Sequence, residues 1–189
     1  LVGGVTMIER VVRRVQGSEA VDKVVVATDD KRIEDAVKSF GGEVVMTPVD
    51  CPNGTIRCHA AISHLDPKPD AIINVQGDEP FTEVESLKKL IDAFRDDDDK
   101  QIDLASLMVH IRNEDEINNP NTVKVIVDKN QMALYFSRST IPFPRATDVG
   151  VKYYKHKGVY AFIKDVIIDF YRLPMMPLEA SEKIECIRY

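Results

Sequence analysis

No apolar run in this chain of 189 residues approaches the length that spans a bilayer, so no segment reads as a membrane helix. No basic–apolar–small signal sequence opens it. Cysteine is scarce. Cys51, Cys58 and Cys186 are an odd number and suit a reducing cytosol better than a disulfide framework. Positive charge is also short: 25 Lys and Arg against 31 Asp and Glu leave a net charge of −6. That balance argues against a nucleic-acid partner, which wants a basic face, yet allows a local basic pocket for phosphates. Three signatures are missing: G-x-x-x-x-G-K-[ST], G-x-G-x-x-G and G-x-S-x-G. Their absence disfavours a P-loop, a dinucleotide fingerprint and a nucleophile elbow. There is no internal repeat and no low-complexity linker.

The composition that is present, 44% apolar and 30% charged, is that of a globular chain. It is long enough to bury a core as one domain, or one domain with a lobe. Thr6-Met7-Ile8-Glu9 has the form of a capping box, and Ile8, Val11, Val12 and Val15 give the following helix one apolar face. Val24–Thr28 and Val44–Thr47 read as short buried strands. Between them lies a helix carrying Ile33, Ala36, Val37 and Phe40, capped by Asp29 or Asp30 and ended by Gly41-Gly42. A polar loop from Pro48 leads to a helix near Arg57–His64. A third strand, Ala71–Gln76, runs into the turn Gly77-Asp78-Glu79-Pro80, and a helix follows with Leu87, Leu90, Ile91 and Phe94. This alternation predicts βαβ units and a mostly parallel sheet. After Asp103 the pattern turns strand-rich: Leu104–Ile111, Val123–Val127, Ala133–Phe136 (with Lys129-Asn130 as the turn before it) and Tyr153–Ile163. Helices are expected at Val166–Tyr171 and Glu179–Arg188. The acidic run Asp96–Asp99 reads as a solvated connection.

The strongest local signal is Asn74-Val75-Gln76-Gly77-Asp78-Glu79-Pro80. A carboxylate just beyond the C-terminal end of a buried strand lies in the crevice where open α/β sheets bind ligands. Its hard oxygens suit magnesium carrying a nucleotide phosphate. Gly-Asp and Glu-Pro are also ordinary turn residues, and that reading stands beside the metal reading. Asn53-Gly54-Thr55-Ile56-Arg57 places small polar residues before a helix, where N–H groups can meet an anion, although many helix entrances look alike. Arg138, just after a strand, can pair bidentately with a carboxylate or phosphate, or form a surface salt bridge. Tyr153–Tyr160 is rich in groups that hydrogen-bond sugars, yet alternating tyrosines also suit a half-buried strand. Cys51, Cys58, His59 and His64 do not follow a zinc-finger spacing.

Taken in order, these segments resemble the CMP-Kdo synthetases (3-deoxy-manno-octulosonate cytidylyltransferases). The resemblance runs through Val26–Asp30, Phe40–Val44, Asn74–Pro80, Asn121–Val125, Ala133–Arg138, Tyr153–Phe162 and Pro177–Arg188. It implies a nucleotide-diphospho-sugar transferase-like (Rossmann-like) three-layer α/β sandwich, with a mixed, mostly parallel sheet. One cytidylyltransferase domain would span 1–189, and an antiparallel dimerisation and sugar-binding excursion would occupy roughly 118–160. It also implies a cytoplasmic homodimer that makes CMP-Kdo from CTP and Kdo for lipopolysaccharide biosynthesis, with Mg2+ as cofactor. By the same resemblance Asp78 binds the metal and is the catalytic residue. Asn53, Gly54, Thr55 and Arg57 lie on the CTP segment, and Gln76, Arg138, His156, Tyr160 and Glu185 face Kdo. The family reads Ser-Gly-Thr-Asp/Glu-Arg where this chain has Asn53-Gly54-Thr55-Ile56-Arg57, and Glu-Gln where it has Glu185-Cys186. The family's phosphate loop is expected before Leu1 and its second metal-binding aspartate after Tyr189; a polypeptide without them is expected not to turn over. Two alternatives stay open: a cytidylyltransferase for another acidic sugar, such as a sialic acid, and a catalytically incomplete CTP-binding homologue.

Overall fold

The computed structural model describes residues 3–146 and 148–188. In chain order the elements are α1 (Met7–Gln16), β1 (Val25–Thr28), α2 (Lys31–Ser39), β2 (Glu43–Met46), α3 (Gly54–Ile62), β3 (Ala71–Asn74), α4 (Val84–Arg95) and β4 (Leu104–His110). There follow α5 (Glu114–Asn118), β5 (Lys124–Val127), β6 (Ala133–Ser137), β7 (Tyr154–Ile163), α6 (Lys164–Arg172), α7 (Pro177–Glu182) and a 3-10 turn, Glu185–Arg188. The chain divides into two compact units, 1–105 with 159–171, and 106–158 with 172–189.

In the first unit β1 and β2 pair in parallel, Val25 opposite Glu43 and Thr28 opposite Met46. The connection between them is α2, as a parallel crossover requires. Asp30 caps α2 by accepting from Arg32 N at 2.8 Å, and its contacts with Arg32 hold its carboxyl at about 2. Gly41 ends the helix region at φ +77°, and a Cβ on Gly42 would lie 2.7 Å from the Phe40 ring, so both glycines are required by the turn. Thr6 caps α1, accepting from Glu9 N at 3.3 Å, while the Glu9 carboxylate takes Arg13 Nε at 2.8 Å. Val12, Val26 and Val37 form one buried cluster, with Ile8, Val24, Phe40 and Val44 packed around it. β3 pairs antiparallel with the end of β7, Ala71 opposite Ile163 and Asn74 opposite Tyr160.

In the second unit β5 and β6 form an antiparallel hairpin, with a register shift at Ile126/Val127. Its turn is organised by Asp128, whose Oδ1 accepts from Asn130 N at 2.8 Å and Met132 N at 2.9 Å. β5 also pairs antiparallel with the start of β7, Lys124 opposite Lys155.

The mixed α/β architecture agrees with the sequence, but the weight of parallel pairing differs. Among the described ladders with a recorded direction, β1–β2 is parallel and β3–β7, β5–β6 and β5–β7 are antiparallel. β7 is the cause, because a strand that runs opposite to both β3 and β5 makes an antiparallel ladder with each. A second difference lies at the end of the chain. The single helix expected over Glu179–Arg188 is broken at Lys183, which is left-handed at φ 52°, and resumes only as the 3-10 turn. The short α5 was not foreseen. The connection after α4 is solvated as expected, with Asp97 Oδ2 accepting from Ile102 N at 2.6 Å.

Leu87 on α4 is fully buried. Leu87→Ala is expected to cost about 3 kcal/mol, by lost transfer energy and a residual cavity. Urea unfolding measures it, and a loss under about 1 kcal/mol would place Leu87 outside the core.

Candidate active site

The first unit holds Asn53, Gly54, Thr55, Arg57, Gln76, Asp78 and Tyr160; the second holds Arg138, His156 and Glu185.

The ladder of β3 stops at Asn74, and the chain then turns. Glu79 N donates to Gln76 O at 3.2 Å, and Thr82 donates to Glu79 O from its N at 3.2 Å and from its Oγ1 at 3.0 Å. Asp78 is inside the first of these turns and exposed to water. Beside Asn74 and Gln76 stands the entrance of α3. A Cβ added to Gly54 would lie 3.4 Å from Asn74 Nδ2 and 3.4 Å from Gln76 Nε2, so the backbone of α3 comes within reach of both amides. Asn74 Nδ2 donates to Thr55 Oγ1 at 3.5 Å; both residues are buried.

α3 starts three residues before the expected Arg57. Asn53 is its cap, with Oδ1 accepting from Ile56 N at 2.9 Å. Ile56, where the family carries a carboxylate, faces inward and is buried. Arg57 extends from α3 to the ends of both parallel strands. It reaches Thr47 Oγ1 at 2.7 Å, Pro48 O at 3.4 Å and Asp29 Oδ2 at 3.1 Å. Tyr160, opposite Asn74 on β7, is buried, its ring centroid 6.1 Å from that of Phe162. His59 stacks on Tyr171 at 4.7 Å and 7°.

In the second unit His156 lies half-buried on β7. Its Nε2 is 2.7 Å from Ser106 Oγ, and the Phe136 ring meets it edge-on at 5.0 Å. The Ser106 hydroxyl also reaches Lys157 O at 3.2 Å. A hydroxyl has one proton, so when Lys157 receives it the imidazole Nε2–H is the donor to Ser106. Burial lowers the His156 pKa to about 4, which keeps the ring neutral near pH 7.

Arg138 departs from expectation. Its guanidinium is turned to backbone carbonyls rather than held out for an anion: Nε donates to Glu182 O at 2.7 Å, Nη1 to Pro120 O at 3.1 Å and Nη2 to Lys183 O at 3.5 Å. The reason is the break after α7, which leaves carbonyls at a helix end in need of donors. Glu185 opens the 3-10 turn, half-buried, and Cys186 beside it is buried.

Three groups escaped the sequence reading. Lys124 is fully buried, and its ammonium donates to Asn119 O at 2.9 Å, Thr122 O at 2.6 Å and Arg138 O at 2.5 Å. Burial lowers its pKa, Glu182 opposing the shift and Arg138 adding to it. Glu182 accepts from Ser137 Oγ at 2.6 Å, Arg138 N at 2.9 Å and Tyr135 OH at 3.4 Å. Burial alone would raise its pKa, but these bonds and the Arg138 charge bring it below the ordinary value. Glu179 and Arg188 form a buried bidentate pair at 2.7 and 2.5 Å. A charged residue between valines, as in Val123-Lys124-Val125, was the available signal for Lys124, since both faces of that strand are buried or half-buried.

The family described as Cytidylyltransferase matches residues 1–189. The chain belongs to the cytidylyltransferase family. This cytidylyltransferase is 51% identical over 187 residues to the 3-deoxy-manno-octulosonate cytidylyltransferase of Flavobacterium johnsoniae, covering 99% of this chain and 76% of the relative. It is 43% identical over 189 residues to the 8-amino-3,8-dideoxy-manno-octulosonate cytidylyltransferase of Shewanella halifaxensis, covering 99% and 76%. Among solved structures it resembles CMP:2-keto-3-deoxy-manno-octonic acid synthetase complexed with CTP. That match has a TM-score of 0.89 at 40% identity and covers 96% of this chain and 73% of that one. The family resemblance and the fold class read from the sequence are thereby borne out.

The neutral His156 makes stability depend on pH. Its pKa falls from 6.5 to about 4 on folding, so between those values the unfolded chain holds a proton that the folded one lacks. The contribution is complete above pH 6.5 and is lost as pH falls toward 4, amounting to at most about 3 kcal/mol. Urea unfolding at pH 7 and at pH 4 is expected to show a smaller loss for His156→Gln than for the parent; equal losses would contradict the shift.

Proposed function

We propose that this cytidylyltransferase transfers CMP from CTP to 3-deoxy-D-manno-octulosonate, giving CMP-Kdo and pyrophosphate. The observation that carries the reading is the meeting of the α3 entrance with the end of β3. Gly54 stands against Asn74 and Gln76, and the exposed Asp78 carboxylate is two residues further on.

In the reaction the anomeric hydroxyl oxygen of the sugar forms a bond to the α-phosphorus of CTP. The bond from that phosphorus to the bridging oxygen breaks, pyrophosphate leaves with the bonding pair, and the hydroxyl proton passes to solvent or a base. The α-phosphate and cytidine come to rest along Asn53–Arg57. The first N–H groups of α3 suit an anion there, and the missing side chain of Gly54 lets a ligand approach. With its Oδ1 occupied as the cap, Asn53 meets the nucleotide through its Nδ2. Thr55 is buried under Asn74 and shapes the wall, and Arg57, tied to Asp29 and Thr47, braces the segment while its charge favours phosphate.

The donor set fits magnesium. That ion keeps most of its waters and takes one or two carboxylates plus phosphate oxygens, so a water-exposed carboxylate at a strand end suits it as one of its protein ligands. Asp78 would hold it. When bound, it supplies neutralisation of the charge that gathers on the phosphate oxygens. Gln76, beside Gly54, orients the sugar from the first unit. Tyr160, also of the first unit, belongs to the proposed Kdo residues, as do His156, Arg138 and Glu185 of the second, the neutral His156 offering hydrogen bonds to hydroxyls. For Arg138 this means a positive field and a braced backbone, because its N–H groups already serve carbonyls. The reading includes a cytoplasmic enzyme and a homodimer formed through the 118–160 segment, where Leu134 and Phe143 are exposed. Among the described residues no helix is long and apolar enough to cross a membrane.

A second reading has a specific basis: the relative from Shewanella halifaxensis is named for the 8-amino sugar. Pyrophosphate release with CTP fixed is expected to be fastest with Kdo, slower with its 8-amino analogue and negligible with N-acetylneuraminate. A faster rate with the amino sugar would move the assignment to that acceptor. Asp78→Asn in the full-length protein is expected to lower pyrophosphate release at least about 100-fold. Because the side chain is exposed in a turn, stability is expected to stay within about 0.5 kcal/mol. Near-parental release would remove Asp78 from the mechanism.

A further inference from the structure

We propose that Arg14 is a positioning residue for the reaction: from α1 it fixes the turn that carries Asp78. The inference rests on the reading of Asp78 given above. Arg14 Nε donates to Thr82 O at 2.9 Å, across 68 positions of sequence. Thr82 closes the second of two linked turns, both its N and its Oγ1 donating to Glu79 O, and Glu79 N in turn donates to Gln76 O. The segment 76–82 is therefore held at its start by the β3 ladder, which ends at Asn74, and at its finish by a guanidinium from another helix. Asp78 lies between these two anchors.

α4 begins just beyond Thr82, at Val84, and Glu83 makes no side-chain cap there. Bonds from a charged donor to a carbonyl are the stronger kind. α1 meets the same turn a second time, because a Cβ on Gly77 would stand 3.6 Å from Ile8 Cδ1. Ile8 thus forms a floor under the residue before Asp78, and Arg14 the clamp four residues after it. Arg13, by contrast, pairs with Glu9 inside the helix and plays no part here. A carboxylate in an exposed turn would sample many orientations, and each anchored end removes some of them before a phosphate-bound cation arrives.

The test compares Arg14→Met, which keeps the apolar stem and removes the donor, with Arg14→Lys, which keeps a charged donor, both in the full-length protein. The first readout is amide exchange without metal or nucleotide. Glu79 and Thr82 are expected to exchange about tenfold faster in the methionine variant, with Ala71–Asn74 unchanged. The second is the Mg2+ concentration giving half-maximal pyrophosphate release at saturating CTP and Kdo, expected about tenfold higher for methionine and within about threefold of the parent for lysine. A methionine variant whose thermal midpoint falls while both readouts match the parent makes Arg14 a mere packing group and overturns the proposal. A lysine variant no better than methionine does the same. If the parent forms no CMP-Kdo, the proposed function fails, and the exchange readout still decides whether Arg14 holds the turn.

Discussion

Everything proposed for this protein depends on where one ladder of hydrogen bonds stops. β3 is paired with β7 up to Asn74, opposite Tyr160, and beyond that point the backbone must satisfy itself in turns. The result is an exposed carboxylate, Asp78, in a hydrogen-bonded turn just beyond a half-buried strand. The entrance of α3 reaches the same place because Gly54 has no side chain to keep it from Asn74 and Gln76. On the proposed reading, the helix entrance beside Asn74 and Gln76 and the acidic side chain two residues past Gln76 supply the two kinds of group that a metal-bound polyphosphate asks for.

In the second unit a few charges are turned inward. Lys124 has no exposed surface, and it feeds three carbonyls, one of them that of Arg138. The Arg138 guanidinium feeds carbonyls of its own, and its N–H donates to Glu182, which also binds Ser137. Glu179 and Arg188 repeat the pattern at the end of the chain. Removing one partner from such a set leaves a desolvated charge, which costs more than the bond itself. These groups serve to fix irregular backbone around the β5–β6 hairpin and α7, and that is the setting in which His156 stays neutral against Ser106.

Much of this was legible in the sequence, for physical reasons. The β-branched runs marked β1, β2 and β3 to within a residue or two, because such residues favour the extended backbone, although β2, expected to be buried, is exposed at Glu43 and Met46 and half-buried between them. The turn at Gly77-Asp78 was visible because it follows such a run directly. What could not be read was decided by contacts distant in sequence. Asn53 moved the start of α3 back to Gly54 through a side-chain cap. Lys183 adopted a left-handed conformation that its residue type does not announce, so a helix expected to reach Arg188 became two pieces. Arg138 looked like an anion ligand because its destination, the carbonyls exposed by that break, lies 44 residues away. Local alternation of strand and helix likewise does not reveal that β7 returns antiparallel against β3.

The most direct measurement is a crystal structure with Mn2+ and a non-hydrolysable CTP analogue, the metal located by its anomalous signal. A carboxylate oxygen of Asp78 is expected about 2.1 Å from the ion, with the ion on the phosphates and the analogue lying along Asn53–Arg57. An ion found on the phosphates with both Asp78 oxygens turned away from it, beyond about 4 Å, would contradict the central claim that this strand end is the nucleotide's metal site.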